Sequence, residues 1–396
     1  MRTIGTQVRG IRAPIIKEGD DLADIVVSSI KSSLENENYE LKDGDVVAVT
    51  ESLVARAQGN YVSVDDIAKE IKEKYPNDIA IVFPILSRNR FSMILKSIAR
   101  SGRKIYLQLK YPRDEAGNTL MDPEKLRKTD INPYTDILTE EDYYKYFGDY
   151  KHPFTGINYV DYYKEIVGEE CELEIIFSNK AESILDYSKD VLAADIHTRS
   201  VTKERIKKAG GNIVYGLDDI CSKKENNRGY NSDYGLLGSN KASDELLKLF
   251  PRDGQSFVDE VQKKLKDLSN KDIDIEVMIY GDGAFKDPVG KIWELADPVV
   301  SPAYTSGLEG TPNEVKIKYL ADNDLDELQG EELTEAMKDE VRKKEKDLIG
   351  DIKAQGTTPR QLTDLLGSLS DLVSGSGDKG TPIILIQGYF DNFATE

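Results

Sequence analysis

DLADIVVSSIKSSLENENYELKDGDVVAVT, residues 21–50, sets two periodicities side by side. Over 21–35, Leu22, Ile25, Val26, Ile30 and Leu34 fall on one face at helical spacing, while DVVAVT at 45–50 is a β-branched run suited to a buried strand. The alternation continues outward. A helix is expected over 64–75, with Ser63 placed as a cap three residues before Asp66, followed by the strand IAIVF at 79–83, a helix around 89–100 and the strand KIYLQL at 104–109. Such alternation predicts a sheet with helices packed on it, an α+β chain with mixed sheets.

The pattern then dissolves. Residues 111–165 are charged and rich in tyrosine, including EEDYYKYFGDYKHPF at 140–154, and read as an insertion or partner surface with half-buried tyrosines whose hydroxyls reach water. Order returns with strands at 172–178, 211–217 and 272–280 and a helix at 257–268. A charged helical region near 324–354 and a helix near 358–373 follow. SGSGDKG at 374–380 then leads into the apolar run TPIILIQGYF at 381–390, expected to return as a strand in the main sheet or to lie in a dimer interface. The expected division is a main domain over 1–310 carrying the tyrosine-rich insertion, and a charged helical tail over 311–396 whose last strand packs back on the core.

With 396 residues and a formal charge of -19, the chain repels nucleic-acid phosphates and anionic lipid, so neither is expected as a partner. An anionic small molecule must then be met by a local cluster of Lys or Arg, or by a metal ion. Two histidines and two cysteines exclude a His-rich or Cys-rich zinc site, leaving oxygen ligands that suit magnesium or manganese. No run approaches the roughly 18 apolar residues of a membrane span, and the first residues lack a signal-peptide core, so a cytoplasmic location is expected.

Three segments could carry chemistry. YGDGAFKDPVGKIWELADP at 280–298 delivers Asp282, between Gly281 and Gly283, at the end of an apolar strand. Lys286, Asp287 and Lys291 follow, the mixed charge that a metal-bridged phosphate needs. In NSDYGLLGSNKASDELLKLFPRD at 231–253, Gly235, Gly238, Ser239 and Asn240 are candidates for an anion-facing loop, with Ser243 and Asp244 as caps for a following helix. ILSRNR at 85–90 places Arg88 and Arg90 after a strand, where their forks could clamp a carboxylate or phosphate. Each segment also has a plain structural reading: a capped polar turn, a glycine turn, and surface ion pairs.

These segments, with IKEGDDLADIVVSSI at 16–30 and LKDGDVVAVTESLVARAQGN at 41–60, resemble the coenzyme F-420 γ-glutamyl ligase family. That family's pattern runs from a "GDDL" helix through a "DGD" strand to "KIVSKAEG", which here reads SLVARAQG at 52–59, keeping chemical type at Arg56 and Gly59. Its "AGVDxSN…LLPxDP" resembles 234–253, matching Ser239 and Asn240, but its metal-binding aspartate falls on Leu237, with Asp233 the nearest substitute. Its "TDTFGRPxR" resembles YGDGAFKDP at 280–288, keeping Asp282, with Lys286 for arginine and Gly283 for threonine.

The resemblance implies a two-lobed fold, a homodimer, and the use of GTP with manganese or magnesium to join L-glutamate to an F-420-like or folate-like carboxylate through an acyl phosphate. It further implies that Asp282 and Asp233 hold metal, and that Asp282 and Lys286 serve the chemistry. Arg56, Gly59, Ser239, Asn240 and Gly283 would meet nucleotide or phosphate, and Arg88 or Arg90 the substrate carboxylate. A catalytically degenerate nucleotide- or metal-binding module and a metal-dependent phosphohydrolase are the competing readings.

Overall fold

The computed structural model describes residues 3–223, 230–269, 272–281, 284–286, 293–295, 301–344, 347–348, 350–354, 360–375 and 378–395, with the backbone alone for 284–286 and 293–295. The DVVAVT run forms the strand Asp45–Thr50 inside a four-stranded sheet ordered Gln7–Ile11, Ile383–Gln387, Asp45–Thr50, Ile275–Tyr280. It pairs in parallel with Ile275–Tyr280 and antiparallel with Ile383–Gln387. Period two then decides its two faces. Val47 and Val49 join Val26 and Ile30 of the helix Leu22–Glu37 and Val258, Val261 and Leu265 of the helix Gly254–Ser269, whereas Val46 and Ala48 meet Leu366 of the helix Leu362–Val373 on the other side.

A second sheet has six strands, ordered Leu138–Thr139, Leu173–Phe177, Ile105–Leu109, Ile79–Val82, Asp190–Ala193, Ile213–Gly216. All neighbours pair in parallel except the two-residue edge strand Leu138–Thr139. The β-branched, uninterrupted character of these runs follows from helices covering both faces. Ser63 caps Val64–Lys74 as expected, accepting from the Asp66 N–H while Asp66 reaches back to Ser63. A small hairpin, Asn240–Lys241 with Leu246–Lys248, adds to Tyr61–Ser63.

The tyrosine-rich stretch differs from expectation. Its helices Glu140–Phe147 and Tyr159–Val167 pack into the core of the six-stranded sheet, where Tyr111, Tyr143 and Tyr163 are fully buried. Each phenol has a backbone partner: Tyr111 donates to the Asp136 carbonyl, Tyr143 to the Leu120 carbonyl, and Tyr163 accepts from the Ser87 N–H. A hydroxyl that finds such a partner can leave water, and the ring then contributes its full apolar area. A second difference lies at 243–248. Ser243 and Asp244 cap no helix, because Leu246–Lys248 takes up the edge of Tyr61–Ser63 as a strand.

Asp45, at the start of its strand, is completely buried. One carboxylate oxygen accepts from the Lys42 N–H and Gln387 Nε2, at 2.8 and 2.7 Å, and the other has no partner among the described residues. Burial outweighs these bonds and the nearby Lys42 and Arg9 charges and pushes the group up to about 6. Between its ordinary value and about 6 the native state holds the proton more tightly than the unfolded chain. The contribution is therefore complete below that window and is lost as pH rises through it. Asp45→Asn is expected to flatten this loss, on the order of 3 kcal/mol at most, in urea midpoints compared between about pH 4 and pH 7. An unchanged pH slope would contradict the assignment.

Candidate functional site

At the carboxyl ends of the parallel pair Asp45–Thr50 and Ile275–Tyr280 the chain opens into a cavity of about 490 Å³. Side chains at strand ends of this kind reach a crevice that the sheet itself cannot fill. The lining comes from four distant pieces of sequence: Pro14 and Ile15, Thr50 to Arg56, Asn240 with Lys248, and Asp371 with Ser374 at the end of the helix Leu362–Val373. Gly281, at the end of Ile275–Tyr280, completes it.

The floor is charged. Lys248 Nζ lies 2.6 Å from both carboxylate oxygens of Glu51, and the two side chains are only 11% and 10% exposed. Glu51 opens the helix Glu51–Ala57 directly after its strand, and Lys248 stands opposite Asn240 in the hairpin, so strand pairing fixes both ends of the ion pair. Arg56 follows Glu51 by five residues and is exposed at the cavity. Tyr280 is buried with its hydroxyl turned towards Thr50 and Ser374, in hydrogen-bond geometry with neither. Burial, with the charges of Asp371 and Glu51, raises this phenol and keeps it protonated.

Of the residues singled out in the sequence, Arg56 and Asn240 line this one cavity. Gly59 ends the following turn at φ +59°, with the Glu18 side chain against the place its Cβ would take. Ser239 is buried beside Asn240, and its Oγ has no hydrogen-bond partner among the described residues. The Arg88–Arg90 loop is tied to this region through the Lys241 N–H, which donates to the Asn89 carbonyl at 2.7 Å. Arg88 is exposed and Arg90 half-buried at the start of Phe91–Arg100, and neither lines the cavity. Asp233 is exposed in a turn ordered by Asn231, also away from the cavity lining. Asp282, Gly283, Asp287 and Lys291 lie outside the described residues. Lys286 ends the short strand Ala284–Lys286, of which the backbone alone is described.

The glycine loop differs from an anion nest. The N–H groups of Gly235, Leu236, Leu237, Ser239 and Lys241 are all engaged by protein carbonyls, and the Phe250 ring occupies the space where a Gly238 Cβ would stand. Leu237 packs in the core of the six-stranded sheet. Among the described residues no group of three or more His, Cys, Asp and Glu side chains is placed to hold a metal ion.

The lining residues missed in the sequence are Glu51, Lys248 and Asp371. Lys248 did carry a signal: it interrupts the apolar run LLKLF, and a charge that folds inward with such a run needs an opposite charge. Nothing local pointed to Glu51 as its partner 197 residues away.

Comparison with known proteins bears on the same segments. The family model described as F420-0:Gamma-glutamyl ligase matches residues 10–388. A stretch of 92 residues is 29% identical to the coenzyme F420:L-glutamate ligase of Methanothermobacter thermautotrophicus. It covers 22% of this chain and 35% of that protein, so the chain spans about a third of the length of the curated relative it matches.

Proposed function

Because the chain belongs to the F420-0:Gamma-glutamyl ligase family, we propose that it joins L-glutamate to the carboxylate of an F-420-like or folate-like acceptor, with GTP as the activating co-substrate. The observation that supports this most is the cavity at the strand ends, where Arg56 and Asn240 meet Lys248 and Gly281. Activating a carboxylate as an acyl phosphate is chiefly positioning and neutralisation of charge. Arg56, exposed at the mouth, is suited to a transferred phosphoryl group or a substrate carboxylate by its planar fork. Lys248, held by Glu51, places a second cation at the floor without making the site strongly positive.

Manganese or magnesium would neutralise phosphate charge in such a reaction. The described carboxylates do not form that centre by themselves: Glu51 is engaged by Lys248, and Asp233 lies away from the lining. By resemblance Asp282 would supply a ligand, and it follows Gly281 of the lining in sequence. Lys286 and Gly283 are proposed at the phosphates, and Arg88 or Arg90 at the glutamate carboxylates, on the same ground. A homodimer is proposed by family resemblance alone, because the closing run is already buried as an inner strand.

Arg56→Ala is expected to weaken GTP binding in the presence of manganese about tenfold or more, read by calorimetry, with no change in thermal midpoint. Equal affinity in both proteins would remove Arg56 from the site. Leu237 in the core and Asp233 outside the cavity favour a second reading, a module that binds nucleotide without turnover. It shares the binding result and differs in yielding no glutamylated product.

A further inference from the structure

A larger open cavity, of about 1190 Å³, lies between the edge strand Gln7–Ile11 and the helix Leu22–Glu37. None of its lining residues belongs to the cavity at the strand ends. Its charge is unusual for this chain. Arg9, Arg12 and Lys379 line it against the single acid Glu37, although the protein as a whole carries 72 acidic and 53 basic residues. Among the described residues none of these three cations lies within 4.0 Å of a carboxylate, whereas Lys96, Arg100, Arg199, Arg205 and Lys264 all do.

Arg9 is also held in place before any ligand arrives. Its Nη1 donates to Gln387 Oε1 at 2.7 Å and its Nη2 to Gln7 Oε1 at 2.8 Å, and the guanidinium lies over the Tyr39 ring, 4.4 Å from the centroid. Gln387 in turn donates to the buried Asp45 carboxylate, which sets its amide so that the oxygen faces Arg9. A guanidinium has five N–H donors, and these two bonds leave the rest of the fork for another acceptor. Fixing the fork in advance reduces the ordering cost of binding.

The opposite wall is mainly uncharged and hydrogen-bonding, with Glu37 at the end of the helix as its one charged residue among those described. Ser29, Ser32, Ser33 and Asn36 line the cavity at positions i, i+3, i+4 and i+7 of the helix, the spacing of one face. A solvated helix face would ordinarily carry Lys and Glu there. Ser33 is already oriented by a 2.8 Å hydrogen bond to the Tyr39 hydroxyl. Cations on one wall and hydroxyls on the other match a ligand with an anionic end and a polyhydroxyl body.

We propose that this cavity is a second ligand site, taking a small phosphorylated polyhydroxyl compound whose phosphate meets Arg9 and Arg12 and whose hydroxyls meet the Ser29–Asn36 face. The site is independent of the ligase reading, and its test does not use turnover. Ribose 5-phosphate, ribose and inorganic phosphate are titrated into the full-length protein by calorimetry, with light scattering alongside. Ribose 5-phosphate is expected to bind more tightly than inorganic phosphate, and ribose alone not to register. Arg12→Gln, at an exposed position, is expected to weaken ribose 5-phosphate at least tenfold, Ser32→Ala to weaken it several-fold without affecting inorganic phosphate, and Arg56→Ala to leave it unchanged. The proposal is overturned if the wild type gives no heat at millimolar probe, if Arg56→Ala rather than Arg12→Gln abolishes binding, or if Arg12→Gln acts only by changing the oligomeric state. That last result would make the cavity a contact between copies.

Discussion

Lys248→Met is expected to cost about 3–5 kcal/mol of folding stability, because it removes one partner of a nearly buried ion pair. Removal of the ammonium leaves Glu51 as a carboxylate 10% exposed with no countercharge, and the desolvation that Lys248 had offset falls on the folded state alone. Glu51→Gln should lose less, because the amide still accepts from Lys248 and an ammonium on a flexible stem can turn towards the cavity. The double variant Glu51→Gln with Lys248→Met should recover much of the loss, since both charges leave together. Urea unfolding of the four proteins measures this directly. Additive losses in the double variant would mean that the two residues act separately and that the floor of the cavity is not the ion pair described. If Lys248 also meets an anionic ligand, the double variant will be stable and still bind GTP poorly, which separates its two roles.

Gly235→Ala should be nearly as damaging, for a reason of shape. Gly235 has φ +47°, and a Cβ there would lie 2.3 Å from the Ile220 carbonyl oxygen and 2.8 Å from that of Asp218. Those are backbone atoms that no rotamer change can move. The left-handed conformation costs an alanine about 1 kcal/mol, and the overlap forces a backbone shift worth another 1–3 kcal/mol. The turn Gly235–Gly238 leads straight into Ser239 and Asn240, so Arg56-dependent binding should fall with stability. Gly310→Ala is the control: its φ is +97° with nothing within 4 Å of the added carbon, and it should show the conformational cost alone. Equal thermal midpoints for the two variants would show that the packing at 235 is looser than described.

The strands and helices of this chain were legible because periodicity is a local property. DVVAVT, IAIVF and KIYLQL could be placed within a residue or two, and the Ser63–Asp66 cap was readable from its spacing. What stayed hidden depends on distant partners. The tyrosines of 111–165 looked amphipathic, and only the carbonyls of Asp136 and Leu120 decide that Tyr111 and Tyr143 go inside. DELLKLF read as the continuation of a capped helix because nothing within it announces the vacant edge of Tyr61–Ser63. Part of the cavity lining was legible on the same terms. Arg56 and Asn240 could be picked from motif resemblance, whereas Glu51 becomes significant only once Lys248 folds onto it. The glycine loop reads in the sequence either as an anion cradle or as a plain turn. Glycines that suggested an anion cradle serve packing against Phe250 and a close approach to the Ile220 carbonyl.

Ligation of glutamate is the claim on which the functional account rests, and product mass tests it most directly. The protein is incubated with L-glutamate, GTP, manganese and an F-420-type acceptor bearing a free carboxylate, and the acceptor is followed by mass spectrometry. The account predicts an acceptor heavier by one glutamyl residue, formed only when GTP and glutamate are both present and strongly reduced in Arg56→Ala. An acceptor of unchanged mass, from a protein that binds GTP and manganese normally, would contradict ligation and leave a nucleotide-binding module in its place.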